Sequence, residues 1–237
     1  MADKLVTYEF KDGVATITMD DCKANALSPA MQAQLNDALD QARADKAIVV
    51  LAGRAGVFSA GFDLPTLMAG GLGAVKMLTG GFEIAERLLS FPKPVVIANT
   101  GHALAMGVFL LACGDYCIGA DGAFKIGANE VAIGLTMPRA AVEICRARLV
   151  PAHFNRAIMT SEIYHPADAV TAGFLDRVVP VADVVSEAQA HAARLSKLNM
   201  NAYMATKLLV REPLHKALRA AIEQDHAAFR VMCKVPD

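Results

Sequence analysis

Pro94-Val95-Val96-Ile97-Ala98-Asn99-Thr100-Gly101-His102-Ala103-Leu104-Ala105-Met106-Gly107-Val108-Phe109-Leu110-Leu111-Ala112-Cys113-Gly114 contains no Asp, Glu, Lys or Arg, over a length able to span a bilayer. Whether it is a membrane span or a strand and helix settles the fold class. The polar set Asn99-Thr100-Gly101-His102 breaks it between the β-branched run Val95-Val96-Ile97 and the small and apolar run Ala103 to Ala112. A strand, a turn with glycine and a buried helix make use of such a break, and a membrane helix does not. The composition, 54% apolar and 20% charged, agrees with a water-soluble α/β unit.

On the N-terminal side of that stretch, Ala47 to Ala52 (AIVVLA) is a second unalternated apolar run, as expected of a strand covered on both faces. It leads into the irregular Gly53-Arg54-Ala55-Gly56-Val57-Phe58-Ser59-Ala60-Gly61. Nearer the N-terminus, Leu5 to Phe10 and Val14 to Met19 flank Lys11-Asp12-Gly13 and read as a hairpin. Ser28-Pro29 supplies an N-cap and a first-turn proline for a helix to about Arg43. Val75, Leu78, Phe82, Ala85 and Leu89 trace a further helical stripe, preceded by a loop at Gly70-Gly71 and Gly73. Short strands are expected at Asp115 to Gly119 and Ala123 to Ile126. From Pro138 the pattern is helical, interrupted by an extended Phe174 to Pro180. The expectation is an α/β core over 1–180 and a C-terminal helical region over 181–237, with helices near 183–198, 201–210 and 213–232. No sequence repeat is visible.

A net charge of −1, with no basic block interleaved with aromatics, argues against nucleic acid as the main partner. Five cysteines without a C-x-x-C pair fit a reducing compartment and give neither a disulfide framework nor a metal site. The charged Lys4, Glu9, Lys11 and Asp12 are unlike a secretory signal, so the expected location is the cytoplasm.

Two turns are candidates for chemistry. Phe58-Ser59-Ala60-Gly61-Phe62-Asp63-Leu64 comes after a buried strand, where backbone N–H groups are free to face a ligand. Taken alone, it reads rather as a tight turn whose glycine supplies an unusual dihedral. Gly101 to Gly107 joins a strand to a helix, where unpaired N–H groups favour negative charge. Two such donors converging on one oxygen make an oxyanion hole.

With these segments in order, the sequence resembles the crotonase, or enoyl-CoA hydratase/isomerase, superfamily. The series is Lys23-Ala24-Asn25-Ala26-Leu27-Ser28, Phe58 to Leu64, Asn99 to Gly107, Ile126-Gly127-Ala128-Asn129-Glu130-Val131-Ala132-Ile133-Gly134-Leu135, then Pro166-Ala167-Asp168-Ala169 with Gly173 to Pro180. The resemblance implies a crotonase-like ββα superhelix core with a C-terminal α-helical trimerisation region. It implies CoA thioester substrates, no metal or redox cofactor, and a homotrimer or dimer of trimers. By position, the oxyanion donors are the N–H groups of Ala60 and Met106. The family has a three-glycine run where this chain has Ala105-Met106-Gly107, so the Met side chain is expected to crowd or reorient the pocket.

The acid–base positions separate the family's reactions. Its hydratases carry one glutamate two residues after the glycine run and another in the later segment; here the first is Phe109 and the second Glu130. Hydration needs both an orienting base and a proton donor, and losing one such group costs about 10²- to 10⁴-fold. Moving a double bond from the 3,4 to the 2,3 position needs one base, which takes a proton from C2 and returns it to C4. Ile-Gly-x-Asn-Glu resembles the mitochondrial-type 3,2-enoyl-CoA isomerases, which keep only the later glutamate. Glu130 is then expected in an apolar pocket with Phe109, Met106, Val131 and Leu135, its pKa raised by desolvation. As an isolated residue it would read as a loop or cap glutamate.

The resemblance also places Lys23, Ala24, Ala60, Gly61, Asp63 and Leu64 along the adenine and pantetheine path, with Pro65 where hydratases often carry lysine. Phe229 and Lys234 resemble residues covering the CoA of the same or an adjacent subunit; Lys234 reads equally as a solvated lysine. His102 and His165 are left out as acid–base groups, and Cys113 and Cys117 are read as core. The expected activity is enoyl-CoA isomerisation. The rivals are another reaction of the family, hydration or thioester cleavage, and a noncatalytic acyl-CoA-binding subunit.

Overall fold

The computed structural model describes residues 4–235. In chain order its elements are β1 Val6–Lys11, β2 Val14–Met19, α1 Pro29–Ala44, β3 Ile48–Ala52, β4 Gly56–Ser59, α2 Leu64–Ala69, α3 Gly71–Leu89, β5 Val95–Asn99, β6 Gly101–Leu104, α4 Met106–Ala112, β7 Tyr116–Ala120, β8 Ile126–Gly127, α5 Arg139–Arg148, α6 Pro151–Met159, α7 Pro166–Ala172, β9 Arg177–Val179, α8 Val184–Leu195 and α9 Met200–Met232. The hairpin closes on Asp12 and Gly13, both at positive φ, as a two-residue turn between twisted strands requires. Ser28 caps α1 by accepting the Met31 N–H, ahead of Pro29.

A six-stranded sheet runs β1-β2-β3-β5-β7-β9, parallel after the first pair, and a three-stranded sheet runs β4-β6-β8. The apolar runs are unalternated because the large sheet is buried on both faces. Val49, Leu51, Val95, Ile97 and Cys117 face the main core, while Ile48, Val50, Ala52, Val96, Ala98 and Ile118 face a second one. Val184, Ala188 and Ala192 on α8 seal that second face at helical spacing.

The two sheets are joined by a recurring unit: a strand in the large sheet, a short turn, a strand in the small sheet, then a helix. β3-β4, β5-β6 and β7-β8 are its three copies. The expected single strand and turn from Pro94 is therefore two strands with only Thr100 between them. Gly101 makes the crossing possible, since a Cβ there would lie 2.0 Å from the Gly56 carbonyl.

Two other expectations change. Gly71 and Gly73 lie in the first turn of α3 and not in a loop, with the Gly71 N–H donated to the Cys233 carbonyl. The last two expected helices are one helix that continues through Pro213. Proline deprives the Leu209 carbonyl of its usual donor, but Leu209 is solvent-exposed, so water can satisfy the carbonyl. Leu218, Ala221, Asp225 and Phe229 then hold the second half of α9 down.

Candidate active site

The three strands of the small sheet are parallel, so the residues after each of them emerge on the same side, as at ligand sites of parallel sheets. After β4 come Ala60 and Gly61, after β6 Ala105 and Met106, and after β8 Asn129 and Glu130. Leu104 pairs with Gly127, and the Ala105 N–H reaches the Gly127 carbonyl at 3.3 Å. Glu130 and Met106 thus lie just beyond neighbouring strand ends.

The loop after β4 is pinned by side chains whose role the motifs alone do not reveal. Asn25, fully buried and at φ 49°, donates through Nδ2 to the carbonyls of Met19, Val57 and Phe58. Ser59 Oγ donates to the Asn25 carbonyl at 2.7 Å and accepts the Gly61 N–H at 3.2 Å. Asp21 collects the N–H groups of Lys23, Asn25 and Ala26, which hold its carboxyl below the usual range despite the opposing effect of burial. Asn25→Ala leaves buried carbonyls unpaired and is expected to cost about 3 kcal/mol, read as a lowered urea midpoint at unchanged slope.

The Ala60 N–H is not free: it donates to the Ala24 carbonyl at 2.9 Å. This corrects the expectation that Ala60 supplies an oxyanion donor, because the loop needs that hydrogen bond to lie against the Lys23–Ala26 segment. Two residues on, the Phe62 N–H has no acceptor among the described residues, and neither has that of Met106 at the first position of α4. Gly61 brings the two together. At φ 104°, its absent Cβ would lie 2.8 Å from Ala105 Cβ and 3.4 Å from Met106 N.

The Met106 side chain is buried and does not block the site. Its Cγ lies 3.6 Å, and the Phe62 ring 2.5 Å, from where a Cβ on Gly81 would stand, so that glycine on α3 makes room for both. Ala105 takes the expected strain instead, at φ 50° and ψ −130°, a region natural to glycine.

Glu130 is 7% exposed, and its Oε2 has no hydrogen-bond partner among the described residues. Burial pushes its pKa up from 4.5 to about 7, slightly opposed by a hydrogen bond from its own backbone. Burial keeps the Cys145 thiol on α5 neutral, and the Glu130 charge adds to that effect. Val131 and Leu135, expected around the carboxyl, are 45% and 38% exposed, so they do not enclose it within one chain. Phe109 is buried, its ring stacked on Phe82 with centroids 6.2 Å apart. Phe82 also meets Phe62 edge-on at 6.3 Å and stacks on Phe229 at 6.4 Å.

A single buried glutamate and two unpaired N–H groups, all just after strands of one parallel sheet, are equipped to move a proton next to a carbonyl whose oxygen gains charge. The family model of enoyl-CoA hydratase/isomerase proteins matches residues 9–236. The chain belongs to this family.

A Rhodobacter capsulatus protein named probable enoyl-CoA hydratase is 31% identical over 225 residues, 94% of this chain and 87% of the relative. A Mycobacterium tuberculosis protein, solved once as a probable enoyl-CoA hydratase and once as an enoyl-CoA isomerase, superposes with TM-scores of 0.94 and 0.91. Its identity is 47% and 48%, over 97% and 94% of this chain and 98% of the other in each case. Human mitochondrial Δ3-Δ2-enoyl-CoA isomerase superposes with a TM-score of 0.90 at 27% identity, covering 97% of this chain and 92% of the other. The crotonase-like fold expected from the sequence is therefore the fold of the chain.

The residues expected along the acyl-CoA path lie as follows. Lys23 is exposed, with its carbonyl accepting Arg54 Nε at 2.7 Å. Ala24 offers its carbonyl to Ala60. Asp63 caps α2, accepting the Thr66 N–H and hydroxyl at 2.9 and 2.7 Å, and Leu64 is 62% exposed. Phe229 packs into the aromatic cluster of its own chain, stacked on Phe82. Lys234 is exposed beyond the end of α9, and no contact ties it to the site.

The residues set aside also have local work. His102 Nδ1 accepts the Lys125 N–H. His165 stands at the start of α7 with no capping hydrogen bond. Cys113 and Cys117 are buried and bond the carbonyls of Phe109 and Leu111, and burial pushes both thiols up to about 12. Among the described residues, no cluster of His, Cys, Asp and Glu suits a metal, and no helix is long and apolar enough to cross a membrane.

Proposed function

We propose that the chain is a 3,2-enoyl-CoA isomerase. The observation that carries this reading is the pairing of Phe109 with Glu130: an aromatic ring packed on Phe82 where a hydratase needs its first carboxylate, and one desolvated glutamate at the second position. The thioester oxygen sits between the N–H groups of Phe62 and Met106. Glu130 removes a proton from C2, the negative charge spreads through a dienolate onto that oxygen, and the protonated Glu130 returns the proton to C4. Its apolar surroundings raise its basicity toward what this step needs, and the two donors act where charge develops. The step requires no metal and no redox cofactor.

Only the ionised carboxylate accepts the C2 proton. The rate is therefore expected to rise as pH climbs through about 7 and to level above it, checked by kcat across pH 5–9. Conjugation absorbs in the ultraviolet, so trans-3-enoyl-CoA and trans-2-enoyl-CoA given separately to the protein test the assignment. Rapid conjugation of the first with little hydration of the second supports isomerisation. Hydration of the second at a comparable rate supports the reading carried by the relatives named hydratases.

Assembly into trimers fits this function. Met204, Leu208, Leu209 and Val210 leave an apolar stretch of α9 open to solvent in the single chain, and patches of this kind mark contact surfaces.

A further inference from the structure

α5 begins at Arg139 after Pro138 and has no side-chain cap of its own. The first N–H groups of a helix need acceptors, and here they come from α9. Asp225, 2% exposed, accepts the Arg139 N–H through Oδ1 at 3.0 Å and the Ala140 N–H through Oδ2 at 2.8 Å. Arg139 Nη1 adds a longer contact at 3.5 Å.

The capped end of α5 is tied closely to Glu130. The Glu130 carbonyl accepts the N–H groups of Ile133 at 3.1 Å and Leu135 at 2.9 Å, and only Thr136, Met137 and Pro138 separate that turn from α5. One turn after Asp225, on the same face of α9, Phe229 enters the aromatic cluster that includes Phe109 and Phe62. The two residues thus join the last helix to both sides of the site.

We infer that Asp225 is a positioning residue: through the N-terminus of α5 it holds the turn carrying Glu130 in register with the Met106 side of the site. The kinetic part of this inference rests on the isomerase reading; the mechanical part does not. Releasing the cap loosens the turn without removing any group that touches substrate, and small displacements of a base cost rate steeply.

The test uses the full chain with Asp225→Asn, which replaces one acceptor oxygen by an NH2 facing the Ala140 N–H. Arg139→Pro approaches the same contact from the other side, since proline is tolerated at the first helical position and removes one N–H together with the longer guanidinium contact. Leu218→Ala loosens α9 at a fully buried position away from the cap. Both cap variants are expected to lose about tenfold in kcat with KM nearly unchanged, and to exchange amide hydrogens faster across residues 131–140. Leu218→Ala should lower Tm while keeping kcat within about twofold of wild type.

Unchanged kcat and exchange in the folded cap variants overturn the inference. So does a kcat loss in Leu218→Ala equal to theirs at matched Tm. If Asp225→Asn does not fold, Arg139→Pro decides. Failure of the wild type to conjugate trans-3-enoyl-CoA would instead sink the isomerase reading, leaving amide exchange to judge whether α9 holds the turn.

Discussion

Replacing Glu130 with glutamine is expected to lower kcat for trans-3-enoyl-CoA by about 10³-fold, within the range for loss of a general base, while KM changes little. The amide is close in shape to the acid but cannot accept the C2 proton. Among the described residues no other buried carboxylate lies at the strand ends to replace it: position 109 is phenylalanine, and buried Asp225 is engaged at α5. The same substitution should stabilise the protein in alkali. Glu130's folded-state pKa, about 7, lies above its ordinary 4.5, so the stabilising form is the protonated one, and its contribution is lost as pH rises from about 4.5 through 7. By pH 8 the buried charge costs at most about 3 kcal/mol. Urea unfolding should therefore show Glu130→Gln more stable than wild type at pH 8, with the gap closing at pH 5. A proposed base that costs stability at the pH where it would act is the expected compromise.

Gly61→Ala is expected to have the second-largest effect. At φ 104° any side chain is strained, and the added Cβ would stand 2.8 Å from that of Ala105, itself already at positive φ. Relief requires separating the turn after β4 from the start of α4, which moves the Phe62 and Met106 N–H groups apart. Loss of one oxyanion donor costs about 10²- to 10³-fold in kcat, and a loss of that size is expected with Glu130 intact. A kcat loss with little change in binding of saturated acyl-CoA, measured by calorimetry, separates damaged transition-state stabilisation from a damaged pocket.

The sequence reveals the large sheet better than the small one. Strands β3 and β5 are recognisable because both their faces are buried, leaving the apolar runs at 48–52 and 95–99. Strands β4, β6 and β8 are two to four residues long and each contains a glycine needed for close packing or a turn, so they look like loops. Their parallel alignment, which gathers the site, depends on pairing between residues far apart in the chain.

Glu130 is legible because a charged residue in an otherwise apolar motif coincides with a change to Phe109 in the preceding one. The proposed oxyanion donor after β4 is not, since the choice between Ala60 and Phe62 depends on which N–H the Ala24 carbonyl takes. Asn25 leaves a signal in its motif, but its three-carbonyl clasp requires knowing that Met19, Val57 and Phe58 converge. Asp225 leaves none, because a buried carboxylate in a long helix looks like a surface residue until the start of α5 is placed against it.

In the proposed isomerisation one glutamate carries a proton from C2 to C4. The sharpest measurement follows deuterium from trans-3-enoyl-CoA labelled at C2, turned over in ordinary water and analysed by mass spectrometry and NMR. With Glu130 desolvated as it is, a measurable share of the label should arrive at C4 of the conjugated product. Recovery of the 3-enoyl ester in single-turnover samples with its label still at C2, while the same protein hydrates trans-2-enoyl-CoA, would contradict the proton shuttle and make hydration the reaction of this site.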